Sequence, residues 1–274
     1  MRHARGNFSE RSCRMASRLL QPRRIKLVVG YRGTRYHGWQ LQPNVMTVQG
    51  TLEAALATIA NEPVRVHASG RTDTGVHAVG QVVHFDTTSP IAPSSLLRGL
   101  NSLLPADIVI KRAREVITDF HARYSASRKT YAYVVHSHSL RPAYHMSYVW
   151  HITQRLNLSA MQTAGDVLVG RHDFSAFRAA SCAAKSPVRS LMRLTVKRRG
   201  KRIVFLLTAD GFLQHMVRNI VGTLVQIGRG QIGAEAMSEI LQSHQRKMAG
   251  PTAPPQGLYL VRVMYPPLSL APQI

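Results

Sequence analysis

Two stretches of this chain run through the same order of hydrophobic periodicities, and that order limits the folds open to it. In RIKLVVGY (24–31) the residues Ile25, Leu27, Val29 and Tyr31 alternate, which is the period of a strand with one buried face. A Gly- and aromatic-rich loop follows. TVQGTLEAALATIAN (47–61) then places Val48, Leu52, Ala55, Leu56 and Ile59 at helical spacing, with Thr47 as its N-cap. VRVHASG (64–70) and VGQVVHFDT (79–87) read as strands again. PSSLLRGLNSLLP (93–105) reads as a helix broken by Pro105, and DIVIKRAREV (107–116) as a strand.

The order begins anew at YSASRKTYAYVVHS (124–137), where Tyr131, Tyr133 and Val135 alternate with Ala132 and Val134. LNLSAMQTAGDVLVG (156–170) reads as a helix. VRSLMRLTVKRRGKRIVFLLTAD (188–210) reads as a hairpin whose turn needs the positive φ of Gly200. GFLQHMVRNIVGTLVQIG (211–228) carries an apolar stripe from Leu213 to Ile227, with His215, Arg218, Asn219 and Gly222 on another face. GAEAMSEILQSH (233–244) is a further helix, and PTAPPQGLYLVRVMYP (251–266) a proline-rich loop entering a strand. Strand, loop, helix and strand pair, met twice, predict an α+β architecture made twice, with antiparallel sheet. No internal sequence repeat is visible. The expected divisions are 1–24, a basic extension; 25–123 and 124–267, the two halves; and 268–274, a tail.

Charge narrows the function. Thirty-six Lys and Arg face thirteen acids, a formal net charge of +23 in 274 residues. Such a field draws polyanions, and phosphate neutralisation supplies most of the non-specific affinity for nucleic acid. An anionic membrane surface is the second choice, since no helix is both basic and strongly amphipathic. No apolar run nears the roughly 18 residues of a membrane helix. Cys13 and Cys182 cannot build a disulfide framework, which suits a reducing, cytoplasmic compartment. The thirteen histidines show no ligand spacing, so no metal is expected. Residues 1–24 hold seven Arg and one Glu; they read as a transit-like leader, a basic arm, or the product of a start earlier than Met15.

Against this scarcity of acid, Asp73 stands out in ASGRTDTGVHAVGQ (68–81), beside Arg71 and between Gly70 and Gly75. A carboxylate on a glycine-flanked loop can be a nucleophile or a base, and an arginine, Arg71 or another, would hold it ionised. The plainer reading is a turn residue. Arg218 can pair with Asp73 or with phosphate, or can be a solvated helix residue. Tyr131 can stack on an extruded base or pack in the core. His77 and His84 are expected to pack or hydrogen-bond. Carboxylate pairs for two metals, a GxGxxG loop after a strand and a P-loop are all missing from the sequence, which favours cofactor-free, metal-free chemistry on nucleic acid.

SGRTDTGVHAVGQVVHF resembles the signature of tRNA pseudouridine synthases of the TruA family. YHGWQLQP, RGLNSLLPADIVI, FHARYSASRKTYAY, GRHDFSAF, DGFLQHMVRNIVGTL and APPQGLYLV resemble further blocks of that family in its order, across residues 25 to 266. The resemblance implies that Asp73 is the catalytic aspartate, that Arg71 fills the place of a flipped base, and that Tyr131 packs on the target base. It implies that Arg218 pairs with the carboxylate and that Leu258 lines the pocket. It also implies two related α+β halves with mixed or antiparallel sheets flanked by helices and the active-site cleft between them, a homodimer holding one tRNA, and uridines 38, 39 and 40 of the anticodon arm as targets, with no cofactor. Two residues depart from the family pattern: Arg32 stands where an acid is usual, and Thr74 where alanine is. A non-catalytic RNA-binding protein and a nuclease are the competing readings; the intact Asp73 set opposes the first and the missing carboxylate clusters the second.

Overall fold

The computed structural model describes residues 22–267. They form one ten-stranded sheet with five α-helices. The first half contributes β1 (Arg23–Tyr31), α1 (Val48–Ala60), β2 (His67–Ala68), β3 (His77–Thr87), α2 (Pro93–Leu103) and β4 (Ile108–Val116). The second contributes β5 (Arg128–Ser137), β6 (Trp150–Ile152), α3 (Leu158–Asp166), β7 (Gly170–Asp173), β8 (Val188–Arg199), β9 (Arg202–Ala209), α4 (Met216–Gly228), α5 (Ala236–Ser243) and β10 (Leu258–Met264).

The sheet order is β4-β1-β3-β10-β5-β9-β8-β7, with β2 pairing β3 and β6 pairing β5. The duplication is therefore topological. In each half the first strand lies between the last strand and a middle one: β4-β1-β3, then β10-β5-β9. Pairing within each triplet is antiparallel, and the triplets join through a short parallel contact of β10 with β3. The sheet is mixed, because β5 and β6 also run parallel.

Most elements lie where periodicity puts them. Ile25, Leu27, Val29 and Tyr31 are buried along β1, and Leu52 and Leu56 along α1, whose Thr47 accepts a hydrogen bond from the Gly50 amide. Gly200 turns the β8–β9 hairpin at φ +58°. Several boundaries differ. β1 begins at Arg23, and Arg23 and Arg24, expected in the extension, are tied to Glu115 and Asp86. Residues 1–21 and 268–274 of the expected extension and tail lie outside the described residues. Of 64–70 only His67–Ala68 is strand. α3 stops at Asp166 and yields to β7, which the pattern did not predict. α4 starts at Met216, five residues late, because His215 takes the left-handed φ of +63° and a right-handed helix cannot pass through it. Among the described residues no helix is long and apolar enough to cross a membrane.

His77 and His84 are buried, as expected. His84 is stacked on His67 and meets His121 edge-on, and its Nδ1 accepts from the Ala122 amide. Burial, with Arg24 and the other two imidazoles, lowers the His84 pKa to about 4. The unfolded chain takes up this proton below about pH 6.5 and the folded one only near 4. The stability His84 contributes is thus complete above pH 6.5 and is lost as pH falls through that window. Urea melts at pH 7 and pH 5 should show this loss, and His84→Gln, which keeps an acceptor but no titratable ring, should flatten the difference.

Candidate active site

Asp73 stands at the crest of a loop, residues 69–76, between β2 and β3. The near end of that loop is tied down three ways. Ser69 donates to the Gln81 side chain at 2.6 Å, Gln81 donates to the Gly70 carbonyl at 2.8 Å, and the Lys129 ammonium donates to the Ser69 carbonyl at 2.6 Å. The far end closes in a turn, with the Val76 amide on the Asp73 carbonyl at 3.1 Å and Gly75 at φ +78°. Between them the Thr72 hydroxyl meets that of Tyr31 at 2.8 Å, and the Thr72 carbonyl accepts from the Trp39 amide at 3.0 Å.

The loop carrying Trp39 is itself fixed. Buried Asp107 takes the Tyr36 hydroxyl at 2.7 Å and the Arg35 guanidinium at 2.8 Å, and its carbonyl takes the Arg32 amide. Gly38 completes the junction. Its φ is +81°, and a Cβ there would lie 2.6 Å from the Thr72 carbonyl oxygen. Only a residue without a side chain lets YHGW lie against the Asp73 loop this closely.

The second half supplies the partner. Arg218, in the first turn of α4, donates through Nη1 to Asp73 Oδ2 at 2.9 Å and through Nε to the Ala253 carbonyl at 2.7 Å. One planar guanidinium thereby fixes a carboxylate and a backbone segment together. That segment is held in turn by Asn219 and Thr223: Thr252 donates to Asn219 Oδ1 at 2.7 Å, and the Gly250 amide to the Thr223 hydroxyl at 2.9 Å. Asn219 and Arg218, read on one helix face, prove to be parts of one assembly.

Arg218 and not Arg71 is therefore the arginine of Asp73. Arg71 is exposed and makes no hydrogen bond or ion pair among the described residues. The Asp73 side chain keeps 28% of its surface open, while that of Arg218 keeps 12%. Tyr131 is buried in β5, edge-on to Phe212 at 5.0 Å. Its hydroxyl has no partner among the described residues, yet it is not sealed from solvent, so it borders open space. Burial, then the nearby Tyr31 and Asp73, raise its phenol. Leu258 is buried in β10 opposite Tyr133, whose hydroxyl donates to the Pro254 carbonyl at 2.7 Å.

Two residues of the site had no role in the sequence reading. His215 Nε2 lies 3.4 Å from the same Asp73 oxygen, and burial lowers its pKa although Asp73 pulls the other way. Its only sequence signal was its place three residues before Arg218. Lys129 sits under the loop, lowered to about 8 by burial and by the charges of Arg123 and Arg189. Among the described residues no group of three His, Cys, Asp or Glu side chains is arranged to hold a metal ion.

The sequence model of a family described as tRNA pseudouridine synthase matches residues 27–125 and 164–266, so that both the Asp73 loop and the Arg218 helix fall inside it. The chain belongs to this family. tRNA pseudouridine synthase A of Aliivibrio fischeri is 46% identical over 243 residues, 89% of this chain and 93% of that protein. The protein of that name from Aeromonas salmonicida is 47% identical over 251 residues, 92% of this chain and 93% of that protein. Among solved structures, an archaeal box H/ACA sRNP Nop10–Cbf5 complex aligns with 82% of this chain and 60% of that chain, at 10% identity and a TM-score of 0.34, too slight a likeness to argue from.

Gly38→Ala tests the geometry without touching a charged group. Strain at φ +81° and the clash with Thr72 should lower stability by more than about 1 kcal/mol in urea unfolding. An unchanged midpoint would mean that the two loops do not press together.

Proposed function

We propose that this chain converts uridine to pseudouridine at positions 38, 39 and 40 of the tRNA anticodon arm, with Asp73 as its catalytic residue. The observation that carries the reading is the partly open Asp73 carboxylate, held by Arg218 across the two halves and near enough to Tyr131 for its charge to raise that phenol. Family membership supports the reaction, and the quoted motifs support the target positions.

The reaction breaks the N1–C1′ bond, turns the uracil and joins C5 to C1′. The C5 hydrogen leaves as a proton and N1 gains one, so the product is an isomer. No electron is exchanged and no group is added, which is why no cofactor is called for. A uridine within a stem must first leave its stack, at a cost of a few kcal/mol. Arg71, free and exposed two residues from Asp73, is suited to fill the gap. Tyr131 offers the detached ring a flat surface and Leu258 an apolar wall. Asp73 acts on the sugar or the base of the flipped nucleotide; Arg218 positions it. In this reading the halves 25–123 and 124–267 bracket the substrate, two copies of the chain share one tRNA, and the enzyme works in the cytoplasm.

The decisive experiment is tritium release from tRNA labelled at uridine C5, since forming the C5–C1′ bond expels that hydrogen. Wild type should release it, and Asp73→Asn should bind tRNA and release none. Binding by both without release would leave an RNA-binding protein and end the enzyme reading. Affinity for tRNA should also fall steeply and linearly in log K against log salt; a flat dependence would mean that the +23 charge does not serve tRNA.

A further inference from the structure

A second hollow lies on the sheet face turned away from Tyr131. β5 pairs with β9 in unbroken register, so Val134 and His136 point opposite to Tyr131 and share a face with their partners Val204 and Arg202. These two cross-strand pairs form part of the wall of a half-open cavity of about 580 Å³, roofed in part by Pro142, His145 and Val149. The apolar part of the lining is three valines and a proline. The rim is cationic: Arg199, Lys201 and Arg202 surround the tip of the β8–β9 hairpin. All three are exposed, none hydrogen-bonds or pairs with an acid through its side chain among the described residues, and no carboxylate lines the cavity.

We propose that this cavity is a second RNA site, which takes a nucleotide of the tRNA outside the anticodon arm. The inference rests on the tRNA reading above. The chemistry of the lining selects the ligand. Three unpaired cations on an open rim match phosphates that lie along a strand. The apolar part, with the imidazoles of His136 and His145 beside it, matches the flat face of an unstacked base, as single-stranded RNA presents it. A second copy of this chain is a poorer occupant, because copies carrying the same +23 charge would bring like charges together at this rim. The cavity shares no lining residue with the surroundings of Asp73 and opens on the other face of the sheet. A nucleotide in one cannot touch the other, so the two sites read separate parts of one large substrate.

The test replaces Arg199, Lys201 and Arg202 together by serine, in the full chain. All three are exposed, and a thermal melt matching wild type establishes that the variant folds. Affinities for a full-length tRNA and for an isolated anticodon stem-loop are measured by fluorescence anisotropy, beside tritium release from each. The expected result is affinity for full-length tRNA weakened on the order of tenfold, with a salt slope shallower by about one for each phosphate contact removed. The stem-loop should bind as before, and kcat on saturating tRNA should be unchanged. Equal affinities of variant and wild type for both RNAs would overturn the proposal. So would an equal loss on both, which would assign the rim to the anticodon-arm groove. A fall in oligomeric state with tRNA affinity intact would overturn it in favour of an interface between copies. Because binding is read directly, a wild type that bound tRNA but released no tritium would count against the proposed reaction, not against the cavity.

Discussion

The contact between Asp73 and Arg218 is what makes two similar halves into one site. The residues are 145 apart in sequence, and each is also held by contacts of its own loop or helix. On one side Ser69, Gln81 and Lys129 fix the base of the Asp73 loop, and Asp107 fixes the loop that leans on it through Gly38. On the other, α4 and the Ala253 segment fix the guanidinium at two points. A carboxylate gripped at one oxygen by a guanidinium that is itself immobilised keeps little orientational freedom, while its second oxygen stays available. Positioning of this kind supplies much of what a catalytic group needs.

The chain shows plainly what was readable beforehand. Alternation in β1 and the stripe of α4 disclosed their buried faces, because each element covers one face of a common core and the period follows from that. The loop of Asp73 was visible by its glycines and by the rarity of acid around it. Its partner came only from the resemblance, which named Arg218; charge alone could not choose between Arg71 and Arg218, and it is the fold that brings α4 over the loop. The late start of α4 was hidden too. Nothing in GFLQH forbids a helix; the left-handed turn at His215 goes with the placing of its Nε2 3.4 Å from Asp73. β6 and β7, with three and four residues, are too short for a period to appear, and exist because a longer neighbour offers them an edge. Arg32, singled out as a departure, reaches the Tyr148 hydroxyl at 3.5 Å through its side chain and makes no side-chain contact with Asp73 among the described residues.

The acids that the chain does have are placed with economy. Glu115, Asp86, Asp107, Glu53 and Asp73 each face an arginine, and Glu62 is hydrogen-bonded by Thr87 and Thr88. Several of these pairs join segments distant in sequence: Arg23 with Glu115, Arg24 with Asp86, Arg35 with Asp107. On an exposed surface such pairs add little stability. Their larger effect here is one of distribution. With Glu53, Glu62, Asp86, Asp107 and Glu115 committed to fold contacts of the first half, cations such as Arg71, Arg199, Lys201 and Arg202 are left without a paired acid among the described residues.

That distribution bears on how a carboxylate can work against a polyanion. Under the proposed function, an approaching RNA strand brings phosphates toward Asp73, and the repulsion between like charges would hold substrate and carboxylate apart. Arg218 answers the charge of Asp73 at contact distance, and Arg71 adds an uncommitted cation two residues away. Lys129, buried below with only a carbonyl oxygen for a partner, adds a third source of positive potential under the same loop. The site is thus net positive around its one acid. The strand can be attracted by the surroundings while a single nucleotide is delivered to the carboxylate, and this is the arrangement that an acid-poor chain can achieve with one well-placed aspartate.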